Sequence, residues 1–587
     1  MVSKKYAFFC PQGTLLLKRK LYIKRQGSTA ENGGQVIYAL EIARAIAQLG
    51  HSVDIYARNY ANDDFDYPNE IMVEIMADYP AIRVIHVPTS APESVEKEHF
   101  YPYYGEYLTR ASEIFEKENY DYIVGHYADG MFMTTIAEEM MFRKDGRRRT
   151  TLGITHSLGK EKAYSLLRKL KSEMATQKEV ILEIYLSGKF KRVSKTFNLK
   201  PRLSCERAAI KRLDGIMPVS QGHLSILNKN YEYPLSQMQV IAGGINQRVF
   251  HPLNYTQEEK LSKRAILIEE HISIIGEERR SALQNGKIVL GFGRMILAKG
   301  IIEAVKSIEY LLKENLDVFY VYIGGNIPPQ TPEEKKVFNK SLDYAKQNGY
   351  ENRILFLGRQ NQEKINQWLN VADVYVHSAY TEPFGLAPQE AASTGIPVVM
   401  SKFAGACDIL KDNEHVMHIH PLKPEDIAQK VSLLLHDKEV AARISTSAKE
   451  IVLRDCTWIA RARALEKFCA KVEHEFMQER IKASNIPFPP DDNIQAARTM
   501  LFQKPDTIVP EGMRNAYRNT MALIENILSH YPDSLVISYY AKFDLLGDEN
   551  ASKDVDDDIS KNKRIDFHMQ PYLQEKAPKK IIKGQLQ

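Results

Sequence analysis

Short apolar, β-branched runs alternate with longer segments of helical period along most of this chain. Strands are predicted at Tyr6–Cys10, Ser52–Ala57, Ile82–Val87, Tyr122–Gly125, Leu152–Thr155, Gly215–Val219 and Gln239–Ala242. Between the first two, Val36, Ile37, Leu40, Ala43, Ile46 and Ala47 recur with helical spacing, which predicts a helix over Gly34–Leu49 that stops at Gly50. A polar stretch, His251–Gly286, interrupts the alternation and reads as a linker. The alternation resumes with Lys287–Phe292, Val318–Gly324, Ile354–Leu357, Val374–His377, Pro397–Met400 and Val416–Ile419. Strands separated by helices in this way form parallel sheets covered on both faces. The pattern therefore predicts two consecutive α/β domains, 1–250 and 287–475. Ligands in such sheets lie beyond the carboxyl ends of the strands, and two units in tandem are expected to enclose a cleft.

Two segments depart from the alternation. Residues 160–202 carry 12 Lys/Arg against 4 Asp/Glu, and Leu166, Leu167, Leu170 and Met174 fit a helix, so a basic helical insertion is expected. Residues 476–587 read as an extension with no assigned role. They hold a Pro-rich joint at Ile486–Pro490, an amphipathic helix around Asn515–His530, an acid-rich run at Asp554–Asp558 and a tail with Lys576, Lys579, Lys580 and Lys583. The last forty residues have the composition of partly disordered chain.

Composition narrows the class. The 587 residues are 44% hydrophobic and 26% charged, as in soluble globular proteins, and the net charge of +5 calls for no nucleic-acid partner. Five cysteines, none in a CxxC pair, argue against a disulfide framework or a zinc site and for a reducing, cytoplasmic setting. The apolar run at Tyr6–Phe9 is too short for a signal peptide. No stretch approaches the roughly 20 apolar residues that span a bilayer.

The chemistry concentrates in Thr381-Glu-Pro-Phe-Gly-Leu-Ala-Pro-Gln-Glu390, which follows a predicted strand and opens a helix. Gly385 permits a close backbone turn past a ligand, and free N–H groups at the helix start suit a diphosphate. Glu382 and Glu390 are carboxylates suited to the hydroxyls of a sugar and a ribose. The string resembles the E-x7-E signature of retaining glycosyltransferases of family 4. The resemblance continues in Gly291-Phe-Gly-Arg294-Met-Ile-Leu-Ala-Lys299-Gly300, in Gly33-Gly34-Gln35, in Val240-Ile-Ala-Gly-Gly-Ile-Asn246 and in Gly358-Arg-Gln360, and it covers about residues 5 to 475.

The resemblance implies the GT-B fold: two Rossmann-like domains facing across a cleft, here with a mostly helical C-terminal extension. It implies that Arg294 and Lys299 clamp the donor diphosphate and neutralise the leaving nucleotide. Gly33, Gly34, Gln360, Phe384, Gly385, Leu386 and Glu390 would bind the donor, and Glu382 the transferred sugar. A narrower resemblance, to sucrose-phosphate and sucrose synthases, rests on Gly125-His-Tyr-Ala-Asp-Gly130, Thr155-His-Ser-Leu-Gly-Lys160-Glu-Lys162 and Pro201-Arg202-Leu-Ser-Cys-Glu206. It implies that His156 stands near the donor sugar. Lys162 and Arg202 would hold an acceptor phosphate, with Gln35 and Tyr127 on the acceptor side.

There are departures. Phe356-Leu-Gly-Arg359-Gln360 stands where the plant-type synthases carry lysine-histidine-histidine, and Ala404-Gly-Ala-Cys-Asp408-Ile409 matches their Gly-Gly-Pro-Val-Asp-Ile incompletely, with Gly405 and Asp408 in place. No phosphatase domain and no large N-terminal regulatory domain is read.

Front-face transfer of a hexose, glucose favoured, from a UDP-sugar to a sugar or sugar phosphate is the implied reaction. The nucleotide sugar is a co-substrate and no further cofactor is read. No metal is expected, because two cations do the charge work; the Asp554 and Asp556 pair lies in the acid-rich run. Three rivals remain: a phosphorylase or epimerase on the same fold, a peripheral membrane transferase with a lipid-linked or polysaccharide acceptor, and a non-catalytic scaffold. The membrane reading uses the basic insertion and Arg147-Arg-Arg149.

Overall fold

The computed structural model describes residues 2–11, 34–59, 70–91, 100, 103–159, 199–380 and 382–477. These form two compact units. One comprises residues up to 218, 223–239 and those from 463 on; the other comprises 219–222 and 240–462. The basic insertion apart from its last four residues, and all but the first two residues of the C-terminal extension, lie outside the described residues.

The first unit is built on a seven-stranded sheet in the order β3-β4-β2-β1-β5-β6-β7. Its strands are β1 (Lys5–Phe9), β2 (Ser52–Arg58), β3 (Met72–Met76), β4 (Tyr79–Val87), β5 (Tyr122–His126), β6 (Thr150–Thr155) and β7 (Gly215–Pro218). All neighbours pair in parallel except β3, which runs antiparallel to β4. Its helices include α1 (Gly34–Gln48), α2 (Tyr104–Phe115), α3 (Tyr127–Asp145), α4 (Leu199–Arg212) and most of α5 (Gln221–Tyr231).

The second unit is built on an all-parallel six-stranded sheet, β10-β9-β8-β11-β12-β13. The strands are β8 (Lys287–Phe292), β9 (Val318–Ile323), β10 (Ile354–Phe356), β11 (Val374–His377), β12 (Val398–Ser401) and β13 (Met417–Ile419). They alternate with α6 (Gln257–Glu270), α7 (Ile301–Lys313), α8 (Pro332–Gln347), α9 (Gln362–Val371), α10 (Leu386–Ser393), α11 (Pro424–His436) and α12 (Lys438–Asp455). A last helix, α13 (Trp458–Val472), starts in this unit and continues into the first.

Four elements differ from expectation. Gln239–Ala242 is not a strand. Ile241 and Ala242 are buried, and the segment's approach to the first sheet is marked by an isolated bridge, Ile216 to Met238. Burial alone satisfies an apolar run, and the chain passes here from one unit to the other. β3 escapes detection because it is an edge strand, with Val73 and Ile75 exposed. The expected linker at 251–286 carries α6, opened by a capping box in which Thr256 and Glu259 satisfy each other's N–H groups. Arg264 of α6 is buried and donates to the carbonyls of Val371 and Gly286 and to Asp373. A planar five-donor fork can be buried where it meets several acceptors, so a polar sequence here packs as an interior face.

The fourth difference is the boundary expected at 475. From Arg463 on, α13 belongs to the first unit. A Cβ on Gly215 of β7 would come within 2.8 Å of Val472. Glu466 pairs with His51 at 3.0 Å, and the Tyr122 hydroxyl donates to Glu473 at 2.7 Å. A boundary inside one continuous helix leaves no break in periodicity to read. Among the described residues no helix is long and apolar enough to cross a membrane, and all five cysteines are free thiols.

Candidate active site

In a doubly wound sheet, ligand loops gather where the strand order turns back. In the second sheet this lies between β8 and β11. The loop after β8 holds Arg294 and Lys299; the loop after β11 holds Glu382 and Gly385. The two loops are bolted together. Gly300 has φ +65°, and a Cβ there would sit 1.8 Å from the Ser378 carbonyl oxygen. Ser378 Oγ donates to the Gly300 carbonyl at 2.9 Å, and Tyr380 N–H to Ala298 at 2.9 Å. This places Lys299 Nζ on Glu382 Oε2 as a hydrogen-bonded ion pair.

The Glu382 loop is also held from β12. Gly405 N–H donates to the Glu382 carbonyl at 2.9 Å and Ala406 N–H to that of Phe384 at 2.6 Å. A Cβ on Gly405 would meet the Pro383 carbonyl at 2.2 Å. Gly385, at φ +94°, is the N-cap of α10, and only glycine takes that conformation without strain.

The two carboxylates of the E-x7-E string are in different states. Burial pushes Glu382 up, but Lys299 and then His377 outweigh it and hold the carboxyl well below the usual range. Glu390, on the second turn of α10, makes no ion pair or side-chain hydrogen bond among the described residues, and burial raises it to about 7. Arg294 is exposed, and its guanidinium has no ion-pair partner among the described residues. Gln360 follows Gly358 (φ +72°) and donates to the Leu357 carbonyl at 3.2 Å. Phe384 is buried and Leu386 half-buried.

In the first sheet the order turns back between β1 and β5. β5 runs straight into α3 through Tyr127, whose φ is +68°. A bulky residue in the left-handed region stores strain of about 1–3 kcal/mol and needs surroundings that enforce it. They are present: Cβ atoms on Gly125 and Gly130 would lie 2.4 Å from the Gly130 carbonyl oxygen and 2.1 Å from that of Phe9.

The elbow exposes the ends of β5 and β6 to each other. His126 Nδ1 and His156 Nε2 lie 3.0 Å apart, and the Tyr38 ring packs edge-on against His156 with centroids 4.9 Å apart. Burial lowers His126 to about 3. Burial, then His126 and His223, hold His156 well below its ordinary value. Both rings are neutral at pH 7, and one donates to the other.

Arg202 on α4 is 2% exposed. Its guanidinium donates to the Ser157 carbonyl and hydroxyl at 3.0 and 2.8 Å and lies 4.5 Å over the Tyr127 ring. Glu206 beside it accepts from Gly159 N–H at 2.9 Å and from the Tyr231 hydroxyl at 2.5 Å. Arg202 thus ties together the turn after β6 and the elbow after β5. Gly34 opens α1, and Gln35 is half-buried and engaged. Gly33 and Lys162 lie outside the described residues.

Residues 32–248 match the family model described as Glycosyltransferase Family 4, and residues 273–451 the one described as Glycosyl transferases group 1. The chain is a family 4 glycosyltransferase. Mannosylfructose-phosphate synthase of Agrobacterium fabrum is 24% identical over 444 residues, 74% of this chain and 86% of that protein. A probable sucrose-phosphate synthase of Thermosipho melanesiensis is 22% identical over 472 residues, 77% of this chain and 93% of that one. The structure of sucrose-phosphate synthase from Thermosynechococcus elongatus matches with a TM-score of 0.58 and 20% identity, covering 80% of this chain and 99% of that one. The fold is GT-B.

Within this glycosyltransferase, reading the sequence missed His126, Tyr38 and His377. Each is a polar or aromatic residue on a buried face, where the periodicity of core positions hides it. His126 and His377 share one usable signal: both are the last residue of an otherwise apolar strand. The basic cluster suggested for lipid is largely spent inside the first unit. Arg149 is buried on Asp145, and Arg148 pairs with Glu138 and Glu139 at 3.0 and 3.2 Å. Arg147 alone of the three stays substantially exposed.

Proposed function

We propose that the enzyme transfers a hexose, glucose favoured, from a nucleotide sugar, a UDP-sugar favoured, to a phosphorylated sugar, with retention at the anomeric carbon. The observation that carries this is the charge arrangement after β8 and β11. A lysine–glutamate pair and an uncommitted arginine stand on loops that converge at the turn-back of a parallel sheet. A diphosphate offers both cations better partners than Glu382 does, because charge-assisted bonds to phosphate are strong and numerous. Freed from Lys299, Glu382 binds the sugar hydroxyls. Glu390, poised near 7, takes the ribose. Gly385 with Leu386 and Phe384, Gly33 with Gly34, and Gln360 complete the donor contacts.

The acceptor hydroxyl attacks the anomeric carbon on the face the nucleotide leaves. The C–O bond to the acceptor forms as the bond to the phosphate oxygen breaks, and the hydroxyl proton passes to that departing oxygen. Arg294 and Lys299 stabilise the charge that develops there. They replace a metal ion in this scheme. His156, neutral and aligned by His126, hydrogen-bonds the donor sugar.

The phosphorylated acceptor is supported by the two relatives, both named as synthases of sugar phosphates. Arg202 and Tyr127 are assigned to the acceptor phosphate, which Arg202 reaches only by giving up the Ser157 carbonyl and hydroxyl it now donates to. Lys162 and Gln35 are assigned to the same acceptor. The five free thiols fit a cytoplasmic setting.

The test is transfer and hydrolysis by the full chain with UDP-, ADP- and GDP-sugars, with and without fructose 6-phosphate and EDTA. Turnover that needs the sugar phosphate, survives EDTA and falls by roughly a thousandfold in Glu382→Ala supports the proposal. Turnover without a sugar phosphate discards the acceptor. Loss in EDTA discards the metal-free scheme.

A further inference from the structure

His377 ends β11 directly beneath the Lys299–Glu382 pair. Its residue exposure is 4%, and neither ring nitrogen has a hydrogen-bond partner among the described residues. Nε2 stands 3.7 Å from Glu382 Oε2, too far for a hydrogen bond and close enough to form one after a shift of under about an ångström. On the β12 side its register partner is Met400. Lys299, from the β8–α7 loop, and Glu382, from its own loop, are the charged groups acting on it. A buried polar ring left unsatisfied costs about 1–3 kcal/mol. Such a cost calls for another state in which the ring is satisfied.

We propose that His377 is a positioning residue that takes over Glu382 when an anionic diphosphate draws Lys299 away. In the nucleotide-free protein, Lys299 neutralises Glu382 and His377 stays uncharged. When Lys299 turns to the diphosphate, Glu382 is left half-buried with an uncompensated charge. His377 then binds a proton from solvent, and its Nε2–H donates to Glu382. The carboxylate is thereby held aimed at the sugar while the lysine serves the phosphate. The groups around the ring agree: burial lowers His377, Glu382 raises it, and Lys299 lowers it. Removing the influence of Lys299 moves the balance toward the charged ring.

The proposal rests on the diphosphate reading of Lys299, and the test separates the two. UDP, ADP and GDP are titrated calorimetrically into the full chain at pH 7 in buffers of different ionisation enthalpy. Wild type is expected to take up about half a proton or more per nucleotide. In His377→Asn the nucleotide still binds and that uptake disappears. The difference between the two proteins removes any contribution from Glu390. In steady state His377→Asn lowers kcat about ten- to hundredfold with a smaller change in donor KM. His377→Gln, which keeps an N–H donor, recovers part of kcat and none of the uptake.

A nucleotide-free arm uses Lys299→Met, which exposes Glu382 to His377 without any ligand. The folded-state pKa of His377 then rises above its unfolded value, so the added stability is present below about pH 6.5 and lost on the way up. Relative to wild type, Tm of Lys299→Met should gain from pH 8 to pH 6, and adding His377→Asn should cancel the gain. Binding without proton uptake, uptake that persists in His377→Asn, or a pH dependence indifferent to His377 overturns the proposal. If no nucleotide binds, the donor reading falls, and the nucleotide-free arm alone decides for or against His377.

Discussion

The turn-back points of the two sheets carry opposite kinds of chemistry. In the second unit the residues are charged and half-spent: Lys299 on Glu382, Arg294 exposed, and Glu390 raised toward neutrality by burial. In the first unit they are uncharged or committed to neighbours: two neutral imidazoles bonded to each other, with His126 Nε2 left unpartnered among the described residues, and an arginine held by a serine, a glutamate and a tyrosine ring. A site that must accept a polyanion benefits from cations whose present partner is weaker than the ligand. Groups already held by their neighbours present donors and acceptors in fixed orientations. The difference shows that the same sheet topology sets where such groups gather, whereas burial and charge partners set their state.

Substitutions can break this comparison. The largest stability effect is expected at Arg202→Ala. Glu206, fully buried, would lose its cation, and breaking a buried pair costs about 3–5 kcal/mol. Urea or thermal unfolding should show a loss of that size, with Arg202→Lys in between. If Arg202→Ala is as stable as wild type, the committed character of the first site is wrong. Arg294→Ala is expected to do the reverse. Tm stays within error, because the side chain is exposed and unpaired. Nucleotide affinity, read by calorimetry, drops roughly ten- to a hundredfold, the worth of about 1.5–3 kcal/mol for bonds to a charged partner.

The smallest effect is the pH dependence at Glu390. Its folded-state value, about 7, lies above the unfolded one. Its contribution to stability is therefore complete below about pH 4.3 and lost as pH rises to 7. Glu390→Gln should remove that fall and be more stable than wild type at pH 8, by on the order of 1–2 kcal/mol given its partial accessibility. A Glu390→Gln profile parallel to wild type across this range would mean that the carboxylate is already neutralised.

Much of the fold was legible because its parallel strands are short, apolar and separated by helices. Lys287–Phe292 and Val374–His377 were read to the residue. The edge strand β3 and the helices between 251 and 286 were not. The edge strand β3 buries Met76 alone of its residues, and α6 hides a buried arginine within a charged sequence. For the site, the spacing of Glu382 and Glu390 was visible, as was the basic loop at Arg294 and Lys299. That one glutamate is paired and the other alone was not visible. The partner of Glu382 lies 83 residues away, and spacing along the chain carries no information about such a contact.

Chain order by itself determined the two α/β units, the loops that carry Arg294, Lys299 and Glu382, and the family to which the motifs belong. Periodicity and glycine placement are local properties, and local sequence dictates them. The tertiary structure alone decided that α13 crosses from one unit to the other, that Arg202 is buried, and that His126 meets His156. It also decided that His377 lies unsatisfied against Glu382. Each of these depends on burial and on contacts between residues distant in sequence. Burial and charge partners are what set the protonation state of a side chain.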